Sequence, residues 1–360
     1  MHIFRNLHAH AMVLVQREGQ VYSRHDLRNL ALLLQRLKIQ TGFTLPKDLV
    51  DATFLPFLAV LLPKSPRVAA GMIHTVAANI DGNLVCFGGN THGQCNPPAD
   101  LGPVIVVGAG GYFTAVVEID GRLVCFGCNC YGQCNVPADM GPVMTVAAGG
   151  YHTAAVTLDG SLVCFGHNSH GQCNVPADLG PVMAVAAGGC YTAVVRIDGS
   201  LVCFGCNCHG QCNPPADLGP VKAVAAGRDH TAAMRLDGSV VCFGRNCHGQ
   251  CDVPADLGPV MAMAAGRDHT AVVKLDGSLV VFGRNWHGQC NVPADLGPVM
   301  SVAAGGFHPA AVKPDGSLVC FGDNCHGQCN VPACLDSIPC DCTPGPCRSC
   351  ECSSLCCRSR

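Results

Sequence analysis

The stretch CFGCNCHGQCN, residues 203–213, places four cysteines and a histidine within eleven residues. Thiolate and imidazole are the ligands of tetrahedral zinc, and closely spaced thiols also do redox chemistry. His209-x-x-Cys212 recurs in six places, with Tyr131 breaking the pattern once. Zinc needs four convergent ligands, so these two columns would have to pair successive copies of the stretch, and no metal is expected from them. Cys125-x-x-Cys128 and Cys203-x-x-Cys206 have redox spacing, but no helix N-terminus follows to lower a thiol pKa. Cys206 and Cys208 recur in only some copies and sit in a Gly-rich loop. They remain the candidate soft-metal ligands of this region, and Cys340, Cys342, Cys347 and Cys350 are those of the C-terminal tail.

The elements that must carry these residues emerge from a search for repeats. Cys-Phe-Gly recurs at Cys86, Cys125, Cys164, Cys203, Cys242 and Cys320, with Val281 replacing cysteine once. Every step is 39 residues or a multiple of it, and the same ruler fits Gly71 through Gly305 and the Asp-Gly pairs from Asp81 to Asp315. The opening stretch is therefore the fourth of seven copies. Most of its residues are expected to serve the repeat, with both strict cysteine columns acting as small core residues.

In residues 143–179, VMTVAA is an apolar run ending at Gly149 and YHTAAVTL is a second. Asp159-Gly160 then predicts a hairpin into SLVCF, because glycine accepts the positive φ such turns need. This predicts three strands per copy and allows a short fourth around Gln172–Val175. The runs are apolar on both faces, as in sheets covered on both sides. Seven equal, doubly covered sheets describe a closed ring better than an open solenoid, which would want atypical end repeats.

The unit resembles the repeat of the regulator of chromosome condensation and beta-lactamase-inhibitor protein II superfamily. Gly149, His152, Thr153, Asp159, Gly160, Gly166, Asn168, Gly171 and Gln172 match in order, and Phe165 stands where that family usually carries Trp. The resemblance implies an all-β, seven-bladed β-propeller over residues 64–333. Residues 1–63 are expected to form an extension with one amphipathic helix, carried by Leu27, Leu30, Leu33, Leu34 and Leu37, and residues 334–360 a Cys-rich tail expected to be disordered.

Charged residues are 13% of the chain and the net charge is −3, so nucleic-acid binding is not expected. No apolar segment is long enough for a membrane helix and no secretory signal is expected, which predicts an intracellular, more cytoplasmic than nuclear protein with reduced repeat thiols. No cofactor is expected and no catalytic constellation stands out. The histidine column, His152 and its equivalents, alternates with Phe113 and Tyr191 and reads as packing.

The varying columns are more informative. Arg228-Asp229 and Arg267-Asp268 begin the second strands of copies five and six, and Arg245 and Arg284 fall in the Gly-rich loops of the same copies. Arginine pairs bidentately with carboxylates, so these residues predict a docking patch for an acidic protein partner, with Tyr112, Tyr151 and Phe307 as apolar anchors elsewhere on the ring. The expected function is a non-catalytic interaction propeller, a scaffold or adaptor. Two alternatives come from the resemblance: substrate recognition alongside HECT-type ubiquitin ligases, and regulation of a small GTPase. The absence of any insertion between copies argues against an exchange-factor wedge.

Overall fold

The computed structural model describes residues 67–335. The predicted N-terminal helix and Cys340, Cys342, Cys347 and Cys350 lie outside the described residues. The strands are β1 (Arg67–Ala70), β2 (His74–Ala78), β3 (Leu84–Gly88), β4 (Val104–Ala109), β5 (Phe113–Glu118), β6 (Leu123–Gly127), β7 (Val143–Ala148), β8 (His152–Thr157) and β9 (Leu162–Gly166). They continue with β10 (Val182–Ala187), β11 (Tyr191–Arg196), β12 (Leu201–Gly205), β13 (Val221–Ala226), β14 (His230–Arg235) and β15 (Val240–Gly244). The last are β16 (Val260–Ala265), β17 (His269–Lys274), β18 (Leu279–Gly283), β19 (Ser301–Ala304), β20 (Pro309–Val312) and β21 (Leu318–Cys320). No helix among the described residues is long and apolar enough to cross a membrane.

Consecutive triplets form seven three-stranded antiparallel sheets, each from one contiguous piece of chain. The fourth strand allowed around Gln172–Val175 is a turn instead, tied by Asn174 N–H to Gly171 O at 3.0 Å. The predicted hairpin holds. In the third blade Gly160 N–H donates to Thr157 O at 2.9 Å, and Gly160 takes φ +85°. Asp159 Oδ1 accepts the Ser161 N–H at 3.0 Å, which explains aspartate before the glycine.

The middle strand of each blade is the one covered on both faces: every residue of β5 and β8 is buried. The first strands lie side by side around the axis, β1 against β4, then β7, β10, β13, β16 and β19, and β19 against β1. Seven apolar clusters fill the seams, one between each pair of neighbouring blades. Phe113, Val117 and Leu123 of blade two meet Val143, Val146 and Ala155 of blade three. Ala77 and Phe87 of blade one meet Ala310, Val312 and Leu318 of blade seven, with Leu335 sealing that seam. Phe165 is half-buried and packs on the seam between blades two and three. Each fully buried Val or Phe contributes about 1.5–3 kcal/mol and each hydrogen bond about 0.5–1.5, so packing holds the blades together and hydrogen bonds set their register.

That register is set at the inner rim. Gly149 N–H donates to His152 O at 2.9 Å, and Gly150 N–H reaches Gly188 O of the next blade at 3.0 Å. The same reach is made by Gly111, Gly189, Arg267 and Gly306, the last donating to Gly71 O at 2.9 Å and so closing the circle. A Cβ on Gly149 would lie 2.5 Å from His152 Cε1 and 2.6 Å from Gly188 O. Glycine recurs here because both the histidine ring and the next blade's backbone occupy that space.

A second belt runs further out. Thr153 Oγ1 donates to Gln133 O at 2.7 Å, binding the Gly-rich loop of blade two to blade three. Thr75 Oγ1 does the same to Gln328 O at 2.8 Å, so the last loop clasps the first blade. Thr hydroxyls also receive histidines of the preceding blade: His152 Nε2 lies 2.9 Å from Thr192 Oγ1 and His308 Nε2 2.8 Å from Thr75 Oγ1. The histidine column thus packs, as predicted, and additionally links blades. Tyr191 manages the same link through its hydroxyl, which meets Thr231 Oγ1 at 2.9 Å.

Candidate interaction surface

Because each blade has three antiparallel strands, two segments emerge at the same end: the connection from first to second strand, and the loop after the third. A backbone hydrogen bond joins them in every blade, as from Arg245 N–H to Asp229 O and from Arg284 N–H to Asp268 O, at 2.9 and 2.8 Å. The Asp-Gly hairpins lie at the opposite end. The sequence-predicted surface residues Arg228, Asp229, Arg245, Arg267, Asp268, Arg284, Tyr112, Tyr151 and Phe307 therefore share one face of the ring.

Blades five and six carry its charge. Asp229 Oδ2 lies 3.5 Å from Arg228 Nε and 3.4 Å from Arg245 Nη1. Asp268 Oδ2 lies 3.6 Å from Arg267 Nε and 3.1 Å from Arg284 Nη1. The aspartates are thus internal braces rather than outward contacts, and Asp268 is buried. Four arginines against two aspartates leave the sector positive. The Nε atoms of Arg267 and Arg284 have no hydrogen-bond partner among the described residues. Burial, then the neighbouring Arg228, lower the Arg267 guanidinium from its ordinary value, and Tyr112 lies within its electrostatic reach.

Aromatic rings flank the arginines. Arg267 sits 5.2 Å from the centre of Phe307, and Arg284 lies 3.8 Å over Trp286. Trp286 is 74% exposed and edge-on to His248. It is the main surface residue missed in the sequence; its signal is its place two residues after Arg284 in the varying loop. On blades one to three, Tyr131 packs against Tyr151 and His167, and Tyr112 against His92.

Other arginines take a different role. Arg196 and Arg235 lie just before the hairpins, at the opposite end, and hydrogen-bond the carbonyls of Leu179 and Leu218. They staple the linker to the blade. Glu118 does likewise with Gly102 N–H and Arg122, and that hydrogen bond from Arg122 keeps its carboxyl below the usual range.

The cysteine columns divide. Burial raises the Cys86, Cys125 and Cys164 thiols well above the ordinary range, as expected of core residues. The second column is half-buried and works as a donor: Cys173 Sγ reaches His167 O at 3.4 Å and Cys212 Sγ reaches Cys206 O at 3.4 Å. Burial pushes the Cys173 thiol up to about 11. Among the described residues, no group of three or more His, Cys, Asp or Glu is placed to hold a metal ion, Cys206 and Cys208 included.

Seven contiguous three-stranded blades in a closed ring define a β-propeller. The model of the regulator of chromosome condensation (RCC1) repeat matches residues 104–133, 145–172, 221–250 and 299–328, so the chain carries repeats of this type. Among solved structures, the ring is similar to the CRINKLY WD40 ectodomain of the Arabidopsis thaliana receptor kinase ACR4, at TM-score 0.59 and 22% identity, covering 72% of this chain and 95% of that one. Human WBSCR16 is similar at TM-score 0.62 and 20% identity, with 69% and 87% covered. Prp20p of Saccharomyces cerevisiae, studied for its binding to Gsp1p and histones, is similar at TM-score 0.55 and 17% identity, with 66% and 80% covered. No match was found among curated protein sequences.

Proposed function

We propose that this chain is a non-catalytic protein-interaction propeller, a scaffold or adaptor that docks an acidic segment of a partner protein on blades five and six. The arrangement that carries this reading is the quartet Arg228, Arg245, Arg267 and Arg284, braced by two aspartates and flanked by Phe307 and the exposed Trp286. The braces pre-order the guanidiniums, which reduces the entropy lost on binding. An exposed Trp beside arginine is the composition of an interface hot spot. The inner and outer hydrogen-bond belts keep the frame rigid while the face varies from blade to blade. Tyr112 and Tyr151 supply apolar contact on the opposite side of the same face.

Quantitative affinity capture with the intact chain and with Arg228→Gln/Arg267→Gln/Trp286→Ala tests this. Partners bound through an acidic segment should be lost from the triple variant and from wild type at raised salt. Equal recovery from both chains would remove the reading.

A further inference from the structure

In every blade the loop after the third strand is organised by one asparagine. In blade four, Asn207 Oδ1 accepts the Cys212 N–H at 2.9 Å, and Asn207 Nδ2 donates to Asn213 Oδ1 at 2.7 Å. Asn129 and Asn168 are held in the same way. Clamping the asparagine brings the two residues that flank it together. His167 Nε2 and Ser169 Oγ are 3.0 Å apart, Arg245 Nε lies 2.8 Å from Cys247 Sγ, and Arg284 lies over Trp286. In two blades both flanking residues are cysteines. Cys206 Sγ and Cys208 Sγ are 3.3 Å apart, and Cys128 Sγ and Cys130 Sγ 3.5 Å. The juxtaposition comes from a clamp repeated around the ring, not from one side chain's rotamer. The redox spacing seen in the sequence, Cys203 with Cys206, is not the pair the fold assembles, because Cys203 is held inside β12.

We propose that Cys206 and Cys208 are a redox-active dithiol whose substrate is a low-molecular-weight disulfide of the glutathione type. Cys208 is exposed and Cys206 half-buried, which assigns attack to the first and resolution to the second. The Cys208 thiolate attacks one sulfur of the substrate, forming a mixed disulfide and expelling one thiolate, which takes up a proton. Cys206, deprotonated, then attacks Cys208 Sγ, forming the internal disulfide and expelling the second thiolate. Two protein thiols are oxidised and one disulfide is reduced to two thiols. The hydrogen bond it shares with Cys206, and the negative charge of that sulfur when ionised, hold the Cys208 thiol above its ordinary value, so the attack accelerates as pH rises. Cys128 and Cys130 repeat the pair on blade two, but Cys128 is buried. The Cys206 loop borders the arginine sector. Its N–H donates to Cys190 O at 2.9 Å, and Cys190 feels the charges of Asp229 and Arg228.

The test equilibrates the intact, folded chain in mixtures of reduced and oxidised glutathione, alkylates free thiols, and locates the modifications by fragmentation mass spectrometry. The expected product is an internal Cys206–Cys208 disulfide, lighter by a pair of hydrogens, while the exposed Cys325, which has Asp323 rather than a cysteine across its asparagine, carries a glutathione adduct. Cys206→Ser, with an unchanged melting curve, should leave a persistent glutathione adduct on Cys208. Phenylarsine oxide, a dithiol probe, should bridge the pair in wild type and be lost from that site in Cys206→Ser. Separate glutathione adducts on Cys206 and Cys208, a bond from Cys208 to Cys212, or two free thiols under conditions that modify Cys325 would each overturn the proposal.

Discussion

His269 and Pro309 occupy the positions at which, on other neighbouring blades, a histidine hydrogen-bonds a threonine, and among the described residues this histidine seam lacks that bond. His74, His152, His230 and His308 each reach a threonine hydroxyl on the next blade. Proline stands where blade seven would carry that threonine, and neither ring nitrogen of the fully buried His269 has a partner among the described residues. The same proline opens β20, which has four residues, and cannot donate to the ladder.

Restoring the column with Pro309→Thr should therefore stabilise the ring by about 1 kcal/mol, raising Tm by roughly 2–4 °C. His269→Phe, which copies Phe113 of blade two, should be tolerated for the same reason. Thermal melts of both variants decide the point; a fall in Tm for Pro309→Thr would mean the seam is satisfied in some other way.

The inner rim predicts the opposite outcome for small additions. In Gly149→Ala the new methyl meets backbone oxygen of the next blade, which cannot move without shifting that blade. The expected cost is at or above the upper end of the roughly 1–3 kcal/mol typical of overpacking, read from denaturant unfolding. A loss under about 0.5 kcal/mol would place the blades further apart than described.

Acid should unfold this protein early. Burial lowers the pKa of His74 and His269 to about 3 and of His152, His230 and His308 to about 4, from 6.5. These folded-state values lie below the unfolded one, so unfolding takes up protons once pH drops under 6.5. Stability is complete above that pH and is lost as pH falls toward 4. At about 1.4 kcal/mol per histidine per pH unit, five such groups outweigh a total stability of roughly 5–15 kcal/mol within about two units. Melting curves from pH 8 to 4 should show the fall, and His152→Phe should make it shallower.

Binding and stability should separate at the arginine sector. In Arg228→Gln, Asp229 keeps Arg245, and in Arg267→Gln, Asp268 keeps Arg284, so both variants should melt within about 0.5 kcal/mol of wild type. Glutamate at these sites would instead face an aspartate and confuse the readout. Asp268→Asn removes a buried carboxylate shared by two guanidiniums and should cost about 1–3 kcal/mol. Equilibrium unfolding of the three variants checks the contrast; a neutral Asp268→Asn would make the brace dispensable.

The 39-residue period, the Asp-Gly turns and the doubly apolar strands were legible in the chain because each is local: a turn needs its own glycine, and a covered strand needs apolar residues on both faces. From these the number of blades and their three strands follow. Tertiary structure decided everything that depends on a neighbour. It closed the ring through Gly306 and Gly71, turned Asp268 inward between two arginines, placed Trp286 under Arg284, and paired Cys206 with Cys208 across a clamped asparagine. Spacing along a chain does not carry those relationships: closure of the ring joins Gly306 to Gly71, the backbone bond from Arg284 N–H to Asp268 O draws that pair together, and the asparagine clamp sets the loop conformation that turns its two flanking side chains to each other.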